Sequence, residues 1–345
     1  MKKLFYVTGI SSILLLSVFF MQSCKQDVSQ QPTPNVDNAT VVPTAALKLD
    51  NVDVIDGRLA FKSEADWQAA IDKIFKNQNS LNGLEAQFKG FTSQKQAQDN
   101  FSEADLIRTN GDLTPFKDYI VQNVRDGETF CDGVVDAKLY AQLISSEGLV
   151  QAGDKVYKFT PGFMYEFNVN DMASYRANKN NLSAIANVLK IDLNADKKRI
   201  QATQRDPFFA SGQVTDVYQF LNGNMNRRVD AYLTSQGPAL FTPSCAEVRL
   251  EHRKRGAFGA WYKERTDLRF SGTVTLGTLF SGVTTKFPIR TVNSIEPNNS
   301  DASITLEKTT SQFQFVYFTP TNVDYRAVQQ PGSTPFVFSN LNITF

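Results

Sequence analysis

Histidine is almost missing from this chain: its 345 residues include one, His252, and only three cysteines. That scarcity excludes HExxH zinc sites, paired-histidine centres and CxxC zinc ribbons. Neither a Gly-x-Ser-x-Gly elbow nor a GxxxxGK phosphate loop occurs, so a histidine triad would have to use His252 alone, within Glu251-His252-Arg253-Lys254-Arg255. No metal, cofactor or catalytic residue is assigned on this basis. A glycosidase needs only two carboxylates about 5–10 Å apart; 35 acidic residues leave such a pair unlocated. Charge of one sign is lacking too. With 36 basic and 35 acidic residues, there is no field to recruit nucleic acid. After Met21 no further long apolar run appears, which leaves a globular body.

What is present begins at the first residue. Lys2 and Lys3 precede an apolar run from Leu4 to Met21, and Gln22-Ser23-Cys24 closes it like a processing site. An uncleaved N-terminal anchor is the competing reading, but Thr8, Gly9, Ser11 and Ser12 dilute the run. The stretch resembles bacterial lipoprotein signal peptides, with Met21 and Gln22 departing from their commonest form and Ser before Cys as in Bacteroidota. The resemblance implies cleavage after residue 23, acylation of Cys24, and attachment to the outer membrane through acyl chains, since two or more chains give stable anchoring. Residues 24–46, with Pro32, Pro34 and Pro43 among polar residues, read as a disordered tether. Lys25-Gln26-Asp27 loosely resembles the export signals of surface lipoproteins, which favours the cell surface over the periplasmic face.

With Cys24 assigned to lipid, Cys131 and Cys245 remain in an oxidising compartment, where either a disulfide between them or two buried thiols is open.

Two domains are expected, an α/β N-terminal one over 47–206 and a β-rich one over 207–345. In the first, Gly57–Lys62 reads as a strand and Ser63 as the cap of a helix that carries Trp67, Ile71, Ile74 and Phe75 on one face. This spacing favours Trp67 as a core anchor over a sugar-stacking ring. Helical rhythm continues through Leu81–Phe91, a helix after Thr92-Ser93 to about Ile107, Pro115–Val124 and Asp136–Ile144; short strands follow over Leu149–Thr160 and Phe163–Phe167. Within Tyr140–Thr160, the string LISSEGLVQAGDKVYKFT resembles uncharacterised Bacteroidota lipoproteins of a domain-of-unknown-function family, which brings no activity or catalytic residue with it. Asp192-Leu-Asn194-Ala-Asp196 opens like a calcium loop but has Lys197 and Thr203 where Gly and Glu belong, so it reads as a polar turn.

Beyond Pro207, runs rich in β-branched and aromatic residues alternate with Gly, Pro, Asn and Ser clusters, among them Val214–Phe220, Arg227–Leu233, Ala246–Arg253, Phe258–Phe270 and Gln312–Phe318. The fold class is therefore α+β: a mainly helical N-terminal region with short strands and an antiparallel β-sandwich-like C-terminal domain, closed by a strand ending at Phe345. The strands lack the sustained alternation of an outer-membrane barrel.

One constellation stands out. From Arg249 to Arg269, basic residues alternate with Phe258, Trp261 and Tyr262, and strand geometry puts Trp261 and Tyr262 on opposite faces, one in the core and one exposed. Trp261, Tyr262, Arg253 and Arg265 are the ligand-binding candidates, as a saccharide platform in which rings cover sugar faces and charged groups reach hydroxyls. The alternative is a sheet face with arginines stacked on rings and solvated charge; Glu247 and Glu251 read as strand-surface charges. Together these features describe a lipid-anchored envelope protein that binds a glycan or an envelope protein rather than catalysing a reaction. A carboxylate-dependent polysaccharide hydrolase and a structural subunit of an envelope complex are the alternatives.

Overall fold

The computed structural model describes residues 47–78, 84–125, 127–135, 137–192, 212–220, 226–236, 245–274, 276–280, 283–286, 290–308, 314–318, 322–328 and 336–338. The leader and tether, most of the Asp192–Asp196 turn, the 206/207 boundary and the terminal Leu341–Phe345 lie outside them. One compact unit runs from Ala45 to Phe345. Among the described residues no helix is long and apolar enough to cross a membrane.

A hairpin opens the unit, β1 (Val52–Ile55) and β2 (Arg58–Phe61), antiparallel about Asp56-Gly57. Both turn residues have positive φ, +50° and +76°, which a two-residue turn matched to strand twist requires and glycine permits. Helix α1 (Glu64–Lys76) follows, and Ser63 caps it by accepting from the Asp66 N–H. Trp67, Ile71 and Ile74 point into the core. The next helices are α2 (Gln94–Asn100), capped by Ser93, and α3 (Glu103–Arg108), held by a Ser102–Asp105 capping box. Leu81–Phe91 contributes only a 3-10 turn at Glu85–Gln87 among the described residues. Pro115–Val124 is not a helix: after the turn Thr114–Phe116 the chain extends as β3 (Ile120–Arg125), where Ile120, Val121 and Val124 favour strand.

Then come β4 (Glu128–Gly133), the single turn α4 (Lys138–Ala141), β5 (Leu149–Ala152), β6 (Lys155–Thr160), β7 (Phe163–Asn168), α5 (Met172–Ala177) and β8 (Leu189–Asp192). The C-terminal part adds β9 (Gly212–Phe220), β10 (Arg227–Gln236), β11 (Cys245–Arg255), β12 (Trp261–Lys263), β13 (Thr266–Val274), β14 (Leu276–Phe280) and β15 (Val283–Lys286). Last are β16 (Arg290–Asn299), β17 (Asp301–Lys308), β18 (Gln314–Phe318), β19 (Asn322–Val328) and β20 (Phe336–Phe338).

The fold is α+β, as composition and periodicity imply, but its N-terminal part carries more strand than helical rhythm suggests. Strands β1-β2-β5-β6-β7-β8 form one sheet. Helices α1 and α4 pack on one face through Trp67, Ile71, Leu139 and Leu143, while Phe167, Tyr175 and Leu182 build a second cluster that includes Leu149 and Val156. A second sheet, β3-β4-β12-β11-β10-β9, joins sequence from both sides of residue 206, because β12 pairs in parallel with β4 at Trp261 and Phe130. Strand β17 also pairs with β11. The apolar side chains of β10, β11 and β17 share a core with Leu268 and Phe270 of β13 and Val292 of β16, a sandwich-like packing of this sheet against the sheet β16-β13-β19-β20.

Candidate functional site

Along β11 the side chains alternate. Ala246, Val248 and Leu250 enter the shared apolar core; Glu247, Arg249, Glu251 and Arg253 take the opposite face. That second face is covered. All four charged residues are at most 2% exposed, so Glu247 and Glu251 are not surface charges. Neighbouring strands supply their partners. Arg253 reaches Asp132 of β4 at 2.7 Å, Asp230 of β10 at 3.0 Å and Glu251 at 2.5 Å. Lys263 of β12 lies 2.8 Å from Glu251 and 3.4 Å from Asp301 of β17, and Lys95 of α2 reaches Asp301 at 3.2 Å. Arg228 pairs with Asp230 at 2.6 Å.

Among the described residues the buried charges of the layer balance. Its buried cations are Lys95, Arg228, Arg249, Arg253 and Lys263; its buried carboxylates are Asp132, Asp230, Glu247, Glu251 and Asp301. Balance is what burial demands, since a lone charge removed from water costs several kcal/mol and a paired one much less. Burial opposes ionisation of Glu251, but Arg253, Lys263 and Arg249 outweigh it and hold this carboxyl far below its ordinary range. Asp301 is held low in the same way, burial being overcome by Lys95, Lys263 and Lys138. For Asp132, Arg253 and Arg125 prevail over burial. At the margin, Glu85 has its carboxyl pushed up to about 7 by burial and by the nearby Asp99 charge.

The ligand-binding candidates fall in and around this layer. Trp261 and Tyr262 do occupy opposite faces, but both are buried, at 0% and 3% exposure, so neither ring is an exposed platform. Trp261 and Phe130 are sandwiched by arginines: the Arg228 guanidinium lies 5.2 Å from the Trp261 ring centre and 4.7 Å from that of Phe130, with Arg125 at 4.2 Å from Phe130. Tyr262 sits in a separate cluster with Phe101, Leu106 and Cys131 and donates to Glu103 at 3.0 Å. Arg253 is enclosed in the layer, and Arg265 is exposed and donates to Asn100. The four candidates therefore do not converge on a ligand, because a second layer of chain covers the sheet face that two of them share.

His252 is neutral. Burial, with Arg227 nearby, lowers its pKa to about 4 against the backbone bond at Glu264, whose oxygen accepts from Nδ1 at 2.9 Å. The carboxylates of this layer and His252 are closed off from solvent. Cys131 is a free, buried thiol, raised to about 11 by burial and Asp132. It does not bridge to Cys245: Cys131 lies beside the Phe130–Trp261 pair, whereas Cys245 starts β11 some nine residues before Lys254, which pairs with Tyr262. That separation is about 30 Å along the strand, against the roughly 7 Å a bridge tolerates. Among the described residues no cluster of three or more His, Cys, Asp or Glu could hold a metal ion.

An accessible site lies elsewhere. Beside the edge strand β1, an open groove of about 600 Å³ is lined by Lys48, Leu49, Val52, Asp53, Val54, Gln87, Phe88 and Lys89. Its far wall is fixed from both ends: the Gln87 amide donates to the Leu47 carbonyl at 2.5 Å, and Phe88 meets the buried Phe91 edge-on at 6.3 Å. The sequence carried no sign of it, because its two walls are some forty residues apart.

Fold and site thus define an α+β protein whose polar centre is structural and whose open groove lies at a sheet edge. No family model matches the chain, and no curated protein matches it. Among solved structures it is similar to a DUF4848 family protein from Bacteroides thetaiotaomicron, at 12% identity and a TM-score of 0.26, over 83% of this chain and 98% of that one. At that level the likeness assigns neither fold nor activity.

Proposed function

We propose that the protein is a bacterial outer-membrane lipoprotein, anchored by acyl chains on Cys24 and displayed at the cell surface, that binds glycans. The observation that carries the anchoring is the run from Lys2-Lys3 through the apolar stretch to Ser23-Cys24, followed by the polar stretch with Pro32, Pro34 and Pro43. Binding is favoured over catalysis because the cluster of titratable groups around β11 is buried, whereas the groove beside β1 is open and mixes an aromatic ring with polar groups.

Labelled palmitate fed to the native host tests the anchor. Uptake by the wild type and an unlabelled precursor for Cys24→Ala is the expected result; undiminished labelling of the variant overturns it. A broad glycan array probed with the full chain tests the binding, and a blank array removes glycans as the ligand class.

A further inference from the structure

The groove beside β1 has a chemistry more specific than a generic cleft. Leu49, Val52, Val54 and Phe88 supply its apolar surface, and Phe88 is preset by its edge contact with Phe91. Lys48 and Lys89 stand exposed on the lining, and neither has an ion-pair partner among the described residues. This contrasts with Lys73, which pairs with Asp50, two residues after Lys48, at 3.0 Å. Asp53, also exposed and unpaired among the described residues, adds an acceptor. The geometry points to an acidic saccharide as the ligand of this groove, with a sugar face against Phe88, carboxylates on Lys48 and Lys89, and a hydroxyl donating to Asp53.

This assignment rests on the glycan-binding reading and narrows it. An aromatic ring covers the apolar C–H face of a pyranose, while side chains around it take up the polar edge. Two ammonium groups without an ion-pair partner among the described residues select for anionic substituents. An acyl chain would require a closed apolar slot, and this groove is open, with polar groups along it. Nucleic acid would require a run of cations, whereas the chain is near neutral overall.

The test is calorimetric titration of the full chain in detergent with trigalacturonate and with its carboxyl-reduced neutral counterpart. The wild type should bind the acidic probe more tightly than the neutral one and lose affinity as salt rises. The double variant Lys48→Gln, Lys89→Gln should weaken acidic binding about tenfold, the sum of two exposed ion pairs. Phe88→Ala should weaken both probes, and circular dichroism verifies that the variants are folded. Equal binding of the two probes, or binding unchanged in the Lys48/Lys89 and Phe88 variants, overturns the acidic-saccharide groove while glycan binding stands. No binding of either probe also overturns it, and a blank array alongside would remove the broader reading as well.

Discussion

Replacing Glu251 by glutamine preserves the shape of the side chain and removes one charge from the buried layer. The wild-type carboxylate is 1% exposed and lies 2.5 Å from Arg253, 2.8 Å from Lys263 and 3.5 Å from Arg249. After the change, five buried cations face four carboxylates, and the excess charge has no water to solvate it. Breaking a buried pair from one side costs about 3–5 kcal/mol. For a unit running from Ala45 to Phe345, that corresponds to a drop in Tm of about 5–8 °C. Urea unfolding reads the loss directly, followed by the fluorescence of Trp67 and Trp261, both buried in the fold.

The double variant Glu251→Gln, Lys263→Met restores the balance, and Asp301 retains Lys95 at 3.2 Å. It should cost less than the sum of the single changes by roughly 2 kcal/mol. Salt should alter these values little, because the pairs are shielded from solvent. The pH dependence has a definite sign. The folded carboxyl titrates below its ordinary 4.5, so its contribution is present above that pH and is lost as pH falls toward the folded value. A loss below about 1 kcal/mol for Glu251→Gln, or strict additivity with Lys263→Met, would refute a desolvated, coupled layer.

Two further outcomes follow from other buried groups. Because His252 is the only histidine, its imidazole NMR signals are unambiguous; they should titrate near pH 4, and a midpoint near 6.5 would show an exposed ring. The same group makes the fold less stable as pH falls from about 6.5 toward 4, where the unfolded chain takes up the proton first. Cys131 should resist a thiol reagent in the native protein and react once urea unfolds it, and non-reducing peptide mapping should recover it unbridged. A Cys131–Cys245 peptide in that map would refute the strand arrangement.

Some of this protein was legible in its residues. Ser63 followed by Glu64 and Asp66, with Trp67, Ile71 and Ile74 at helical spacing, was enough for α1, because capping and amphipathic period are local. Of the C-terminal strands, β9, β10, β11 and β18 were legible for the same reason, whereas β12 and β13 divide the run Phe258–Phe270, and β15, β16 and β19 fall where no run was read. The proposed anchoring rests on Lys2-Lys3 and Ser23-Cys24 alone. Strand β3 was lost because Pro115 suggests a helix start, and the edge groove because Lys48 and Lys89 approach each other only through folding.

The tertiary structure alone decided the fate of Glu247, Arg249, Glu251 and Arg253. Alternation along β11 tells which side chains share a face, and it identifies the charged face as readily as the apolar one. It cannot tell whether that face meets water or another layer, since a strand with one wet face and a strand with a charged interior have the same period. The difference lies in Lys95, Asp132, Asp230 and Asp301, brought from α2, β4, β10 and β17 to neutralise the layer. Their electrostatic coupling exists only at distances of a few ångströms, and those distances are set by chain packing.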